Sequence, residues 1–251
     1  MEKKSEHFTE KQSSGHFSPT ESWKNPDFLS SPDARLLRIM AEYLEPAARF
    51  RKHDVHNIIV FWGSARQLPK LKKYYADAEK LAGMVTEWSK KLGEGKRQFL
   101  VATGGGEGIM GAANKGASEA GGKTVGLNIT LPFEQNPNKY ITRELSIQFH
   151  YFFMRKFWMV YLAKAFIAFP GGVGTIDELS EVLTLVQTGK PKKTMPIILY
   201  GSEYWNEVLN LKAMAKWGTI SEKDLQLFKI IDTPEEAFEY LTKRLTELYL
   251  K

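Results

Sequence analysis

Strand-like and helix-like patterns alternate along most of this chain, and that alternation is its most restrictive feature. Short apolar runs that end in loop residues are separated by amphipathic, helix-like stretches. Parallel strands need long crossover connections, which helices supply, and those crossovers are right-handed. The pattern therefore predicts an α/β fold, a doubly wound Rossmann-like parallel sheet with helices on both faces.

The predicted strands lie within 57–66, 98–108, 123–130, 146–153, 165–172 and 195–201. The predicted helices lie within 74–92, 108–121, 154–163, 175–188 and 203–216, with a last helix after Pro234. Three of the strands run into glycines, at Gly63, at 104–108 and at 171–174. Since the carboxyl ends of parallel strands meet at one edge, these glycine loops are expected to line the same ligand site.

The chain is predicted to have three parts. Residues 1–30 are polar and lack periodicity, so they are expected to form a disordered tail. Residues 31–53 carry apolar side chains at helical spacing and are expected to form a helical appendage. Residues 54–251 are expected to form the Rossmann-like domain, and the 43% apolar composition is sufficient for its core.

Composition excludes several classes of site and partner. The chain has no cysteine, and its five histidines form no H-x-x-x-H pair, so no metal is expected. There is no long uncharged apolar run and no signal-like apolar core, so we expect no membrane association and a cytoplasmic protein. The net charge of +6 favours anionic partners. Because the lysines are dispersed, a small phosphorylated ligand is favoured over nucleic acid.

Two common phosphate-binding motifs are matched only superficially. GEGIMG at 106–111 has the G-x-G-x-x-G spacing, but the next strand ends near Asn128 and offers no carboxylate for a ribose. GASEAGGKT at 116–124 resembles a Walker A loop, yet its first glycine is misplaced and it precedes a strand. Neither motif supports a dinucleotide or another cofactor.

The stretch AFPGGVGTIDELSEV at 168–182 combines a glycine loop, which suits an anion, with acidic residues in the helix that follows. One interpretation is a capping box, in which Thr175 caps the helix and Glu178 reaches back to its N–H. In the other, the loop N–H groups bind a phosphate and Glu178 points at the attached sugar. The residues alone leave both open.

Arg155 and Lys156 lie within a nearly apolar stretch at 149–169. A solvated pair on an exposed helix face is one interpretation. In the other, Arg155 reaches the ligand site and faces Glu178, because an unpaired buried charge would be costly. Such a contact would lower the pKa of the Glu178 carboxyl and help to keep it ionised.

These residues resemble the LOG ("lonely guy") family. MRK at 154–156 followed by PGGVGTIDE at 170–178 is similar to its R-K…P-G-G-x-G-T-x-x-E signature. GSAR at 63–66 and TGGGEGIMGAANKGA at 103–117 resemble its other two loops. The likeness covers residues 55–220, and the stretch at 127–141 resembles the longer bacterial branch.

The resemblance implies an N-glycosyl hydrolase, a phosphoribohydrolase that splits nucleoside 5′-monophosphates into free base and ribose 5-phosphate. AMP-like nucleotides and cytokinin riboside monophosphates are the implied substrates, and Arg155 and Glu178 are the implied catalytic pair. The implied substrate-binding residues are Gly63, Ser64, Arg66, Thr103, Gly104, Gly105, Gly106, Met154, Lys156, Gly171, Gly172, Val173, Gly174 and Thr175. The resemblance also implies a homodimer, with the apolar helix at 152–163 as its candidate interface.

Glu107 departs from the family pattern, in which we expect proline or a small residue, and an extra carboxylate there would affect base preference or phosphate binding. Many relatives carry a lysine decarboxylase label, but nothing in this sequence supports a pyridoxal phosphate site. Two other functions stay open. One is a non-catalytic carrier of a nucleotide or of molybdenum cofactor with the same fold, and the other is a nucleic-acid-handling Rossmann protein.

Overall fold

A computed structural model describes residues 19–93, 98–132 and 136–250 of the chain. Residue contacts divide the chain into two compact units, one up to Met40 and one from Ala41 onward. The division falls inside a helix rather than at the predicted boundary after residue 53. Residues 1–18 of the predicted tail lie outside the described residues.

The smaller unit contains short helices. These are a 3₁₀ helix at Ser22–Lys24, α1 at Pro26–Ser30 and a 3₁₀ helix at Pro32–Ala34. The Asn25 side chain accepts hydrogen bonds from the backbone N–H groups of Asp27 and Phe28, so it caps α1. The expectation of disorder over 1–30 therefore needs correction for the end of that segment, where local capping and a proline at the first helical position favour a helix.

The larger unit is built on a seven-stranded sheet in which every neighbouring pair is parallel. The strands are β1 Ile58–Trp62, β2 Leu100–Thr103, β3 Thr124–Ile129, β4 Ser146–Phe149, β5 Ala163–Ala168, β6 Ile197–Tyr200 and β7 Lys229–Ile231. The fold class and the six sequence-predicted strands are confirmed. The edge strand β7 escaped prediction because it has three residues and only Ile231 is buried.

The other helices are α2 Arg35–Lys52, α3 Lys72–Lys91, α4 Ile109–Glu119, α5 Phe152–Leu162, α6 Val173–Gln187, α7 Ser202–Val208, α8 Leu211–Lys216 and α9 Pro234–Tyr249. One side of the sheet packs against α3, α4 and α9, where Ile59 and Phe61 share a core with Leu81, Ala113 and Leu241. Alternate side chains along a strand point to opposite faces. Helix α5 also packs against the sheet, at β3 and β4. None of the described helices is both long and apolar enough to span a bilayer.

Two of the differences from the predicted helices have a local cause. Helix α6 begins at Val173, two residues before Thr175, because the extended Gly172 serves as its N-cap. The predicted helix at 203–216 is divided into α7 and α8. Asn210 causes that division, since its side chain accepts a hydrogen bond of 2.9 Å from the Ala213 N–H and starts a new helix.

The strand order is β4-β3-β2-β1-β5-β6-β7. The chain therefore builds outward from β1 to β4 and then returns to place β5 on the other side of β1. The two central strands are aligned so that Trp62, the last residue of β1, pairs with Ala168, the last residue of β5. Loops that leave these strands diverge and open a crevice, which is where doubly wound sheets bind ligands.

The contact between α3 and α4 depends on a glycine. A Cβ at Gly116 would lie 1.9 Å from the Glu79 carbonyl oxygen of α3, whereas a Cβ at Gly83 would lie 3.4 Å from the Gly116 carbonyl oxygen. We expect Gly116→Ala to lower the free energy of unfolding by about 1–3 kcal/mol through overpacking. Gly83→Ala should be neutral or gain up to ~1 kcal/mol from helix propensity. Urea unfolding of both variants checks this, and equal effects would contradict it.

Candidate functional site

A cleft of about 650 Å³ opens at the carboxyl edge of the sheet, over the crevice between β1 and β5. Its lining residues are Gly63, Ser64, Ala65, Arg66, Leu68, Leu71, Gly104, Met110, Ile129, Leu131, Phe152, Arg155, Pro170, Gly171, Gly172, Val173, Gly174, Thr175, Glu178 and Tyr204. All three glycine loops contribute to this lining, as the strand pattern predicted.

The start of α6 faces the cleft with free donors. Among the described residues, no hydrogen bond uses the backbone N–H groups of Val173, Gly174 or Thr175, and the Gly172 N-cap provides no side-chain cap. The capping-box interpretation is therefore wrong. Because α6 starts two residues early, Thr175 is a buried third helical residue, and the unpaired N–H groups remain available to an anion.

Two glycines of this loop are not required by packing. A Cβ added at Gly172 or Gly174 would meet no protein atom within 4 Å. At Gly171, in contrast, a Cβ would lie 2.2 Å from the Thr175 hydroxyl oxygen. Close approach of a ligand to the backbone is a physical reason for glycine at the two open positions.

Backbone hydrogen bonds join the loops around the cleft. The Ser64 N–H donates to the Pro170 carbonyl at 2.9 Å, and the Ile109 N–H donates to the Ser64 carbonyl at 3.0 Å. The Tyr204 hydroxyl donates to the Gly171 carbonyl and so orients the loop before α6. The first and third glycine loops are consequently held as one surface.

Arg155 and Glu178 meet at this surface. Arg155 Nη2 donates to Glu178 Oε1 at 2.6 Å, and each side chain is only 11% exposed. The guanidinium also lies over the Phe152 ring, 5.4 Å from its centroid. The solvated-pair interpretation is therefore wrong for Arg155, which is directed inward at the cleft.

Burial dominates the titration of Glu178. Desolvation raises the pKa of its carboxyl from 4.5 to about 7, and the Arg155 guanidinium, which lowers that pKa, offsets only part of this effect. Asp177 and Glu181 raise the pKa further, while Lys156 lowers it. The predicted lowering of this pKa by Arg155 is confirmed, but the net pKa is raised, because the sequence shows the charged partner and not the depth of burial.

Lys156 and Met154 lie outside the cleft lining. Lys156 Nζ contacts two carboxylates of α6, Asp177 at 3.2 Å and Glu181 at 2.8 Å. Met154 is buried among other apolar residues. In the sequence, the negative charge of Asp177 conflicts with a phosphate site at the start of the same helix. In the structure this charge is paired with Lys156.

Most of the second glycine loop lies beneath the cleft. Thr103, Gly105 and Gly106 are buried, and Gly104 is the residue of the four that lines the cleft. The Asn138 side-chain amide donates to the Gly105 and Gly106 carbonyls at 3.1 and 3.0 Å, which holds the loop in place. Glu107 is exposed and does not belong to the cleft lining.

Sequence analysis missed several lining residues. Met110, Ile129, Leu131, Phe152 and Tyr204 form an apolar and aromatic part of the wall. Ile129 is the last residue of β3, and Leu131 lies in the loop that follows it. Because ligands of such sheets lie beyond the carboxyl ends of the strands, both residues could have been predicted from the sequence. In the described ranges, no three His, Asp or Glu side chains are grouped to hold a metal ion.

The fold and the cleft define a class, the Rossmann-like α/β proteins with an uncapped helix N-terminus at the switch point of the sheet. Residues 110–241 match the protein family described as "Possible lysine decarboxylase". A probable cytokinin riboside 5′-monophosphate phosphoribohydrolase of Oryza sativa subsp. japonica is 28% identical over 204 residues, covering 80% of this chain and 82% of the relative. A cytokinin riboside 5′-monophosphate phosphoribohydrolase of Mycobacterium marinum is 30% identical over 144 residues, covering 56% of this chain and 74% of the relative.

The chain belongs to the LOG family, as its motifs indicated. Among solved structures, the molybdenum cofactor binding protein of Rippkaea orientalis superimposes with a TM-score of 0.54 at 22% identity. That alignment covers 76% of this chain and 98% of the other. At this identity the likeness establishes the shared fold.

The raised pKa of Glu178 is directly measurable. In protein labelled with ¹³C-glutamate, we expect one carboxyl resonance to titrate near pH 7, to disappear in Glu178→Gln and to titrate higher in Arg155→Met. Between pH 4.5 and 7 the folded protein keeps a proton that the unfolded chain releases, so this group's contribution to stability is lost as the pH rises. A midpoint at or below pH 4.5 would contradict this account.

Proposed function

We propose that this protein hydrolyses the N-glycosidic bond of nucleoside 5′-monophosphates, AMP-like nucleotides or cytokinin riboside monophosphates, and releases free base and ribose 5-phosphate. The observation that carries the proposal is the buried pair of Arg155 and Glu178 in the same cleft as the uncapped start of α6. The uncapped start of α6 suits a negatively charged phosphate. The carboxylate of Glu178 suits the positive charge that develops on the ribose during cleavage. The two relatives described above bear the name of this activity.

The 5′-phosphate is proposed to bind the free N–H groups at the start of α6. A helix N-terminus favours a phosphate through both hydrogen bonds and the helix dipole. Arg66 adds a positive side chain to the lining of the same cleft. Binding energy from the phosphate then holds the ribose in a reactive position, which is how a non-reacting group contributes to catalysis.

Glu178 is proposed to act at the anomeric carbon. Cleavage of a ribosyl–base bond develops positive charge on C1′ and the ring oxygen, as in glycoside hydrolysis. An ionised carboxylate beside that carbon stabilises the charge and can orient or deprotonate the attacking water. Arg155 occupies Oε1, and no described residue donates to Oε2, so the second oxygen is available for this role.

The elevated pKa of Glu178 suits a general base. A carboxyl group that titrates near pH 7 accepts a proton more readily than an ordinary carboxylate does, yet about half of it is ionised at neutral pH. Arg155 sets this balance by favouring the ionised form. We therefore expect the acidic limb of a pH–rate profile for base release to follow the ionisation of Glu178.

The central test is base release from AMP, GMP, CMP, IMP and isopentenyladenosine monophosphate, followed by chromatography. We expect Glu178→Gln to keep the fold and to lose roughly 100-fold or more in rate, because the variant has no base. Asp177→Asn is the matched control, since Asp177 is the neighbouring carboxylate and faces Lys156. Near-normal turnover by Glu178→Gln would remove Glu178 from the mechanism.

The phosphate site is tested by Gly174→Ala. The added methyl group meets no protein atom, so the melting temperature should stay the same or rise slightly from helix propensity. If a phosphate lies against this backbone, the KM for the monophosphate should rise roughly tenfold, about the loss of one hydrogen bond to a charged group. Inhibition by ribose 5-phosphate, measured in the same assay, should weaken in parallel. An unchanged KM would place the phosphate elsewhere.

Two rival functions predict other outcomes of the same experiments. A non-catalytic carrier would bind a nucleotide-like ligand tightly and release no base. A nucleic-acid-handling protein would bind DNA or RNA with a strong dependence on salt concentration. Base release that depends on Glu178 would exclude both as the main activity.

We also propose that a second copy of the chain covers the exposed face of α5. Phe153, Phe157 and Tyr161 are 53%, 37% and 57% exposed on this helix. They border an apolar groove that also includes Leu185 and Pro191. Contiguous exposed aromatic side chains are typical of association surfaces. Sedimentation equilibrium, which gives the mass in solution, tests this assembly.

A further inference from the structure

Helix α5 carries Arg155, but its own residues do not cap its start. Its N-cap residue is Tyr151, whose side chain makes no capping hydrogen bond, and its first turn contains no acidic residue. The first N–H groups of a helix have no partner within the helix and favour a negative charge. Such a helix end requires an acceptor from elsewhere.

Glu42 in α2 supplies an acceptor for the N–H group of the N-cap residue and for the N–H group just before it. Its Oε1 accepts a hydrogen bond of 2.6 Å from the His150 N–H, and its Oε2 accepts one of 3.2 Å from the Tyr151 N–H. The Glu42 backbone carbonyl also accepts a hydrogen bond of 3.0 Å from Trp158 Nε1, two turns further along α5. One residue of α2 therefore contacts both the start and the middle of α5.

Aromatic side chains reinforce this contact. The Tyr43 ring lies 5.6 Å from both the Phe157 and the Trp158 ring centroids, and the Phe50 ring lies 5.4 Å from that of Trp158. These rings hold α2 against α5 by apolar contact. The hydrogen bonds of the Glu42 carboxylate, which depend on direction, fix how α2 is oriented on α5.

The capped segment is also where the backbone of Arg155 is fixed. The Arg155 N–H donates to the Tyr151 carbonyl at 3.2 Å, at the first turn of α5. A shift of Tyr151 would therefore pass directly to Arg155, whose guanidinium must reach Glu178 at 2.6 Å. Misplacement of a catalytic group by about 1 Å is enough to lower a rate substantially.

We infer that Glu42 is a positioning residue, which caps α5 from another helix and thereby sets the direction from which Arg155 meets Glu178. This inference rests on the proposed function for its catalytic consequence. It assigns the middle of α2 a role in the active site that no sequence motif indicates.

The test compares Glu42→Leu, which removes both acceptor oxygens, with Glu42→Gln, which keeps one. Glu45→Leu is the matched control, because Glu45 lies on the same helix and pairs with Arg49 rather than with α5. We expect Glu42→Leu to lower kcat for AMP roughly tenfold with KM nearly unchanged. Glu42→Gln should be intermediate, and Glu45→Leu should match the unmodified protein.

A second readout needs no substrate. If Arg155 moves away, the ¹³C carboxyl titration of Glu178 should shift to higher pH, because Arg155 lowers that pKa. The other charged groups around Glu178 are Asp177, Lys156 and Glu181, and all are unchanged in the variants. A purely structural role for Glu42 would lower the melting temperature without moving this midpoint.

The outcomes separate the two proposals. If the unmodified protein releases no base from any nucleotide, the proposed function fails, while the titration still tests the position of Arg155. If folded Glu42→Leu shows the same kcat and the same Glu178 midpoint as Glu45→Leu, the inference is overturned. If Glu42→Leu does not fold, Glu42→Gln decides, and an unchanged midpoint there overturns it equally.

Discussion

The candidate site depends on one costly interaction, the buried ion pair between Arg155 and Glu178. Removing both charges from water costs several kcal/mol per ion before their attraction is counted, so such a pair is weak evidence for stability. Arg155 Nε adds to the cost, since it is buried without a hydrogen-bond partner among the described residues. Strongly perturbed titratable groups in a cleft are characteristic of functional sites, and this pair fits that description.

The sheet topology explains how the pair forms. Arg155 lies on α5, which precedes β5, and Glu178 lies on α6, which follows it, so strand β5 carries one partner on each side. The return of the chain from β4 to β5 places the loop before α6 beside the loop after β1. Free helix N–H groups, the ion pair and the apolar wall thus converge on one crevice, and the proposed function depends on that convergence.

Much of the fold was predictable because strands and crossover helices have different periods, and glycine loops mark where strands end. The strand β7 and the break at Asn210 were not predictable. A strand of three residues is too short to show a period, and a single capping residue does not change the hydrophobic pattern around it. In the site, the spacing of Arg155 and Glu178 was informative. The pKa of Glu178 and the outward position of Lys156 were not predictable, because both depend on burial. Glu42 was invisible for a related reason, since its partners lie 108 and 109 residues away.

The most direct test is a crystal structure of Glu178→Gln with a bound nucleoside 5′-monophosphate, a variant chosen to slow turnover. The account predicts the phosphate on the N–H groups at the start of α6. It also predicts C1′ within about 3–4 Å of the side chain at position 178, the distance of a reacting contact. A nucleotide bound with its phosphate away from α6, or with its ribose turned away from Arg155 and position 178, would contradict it.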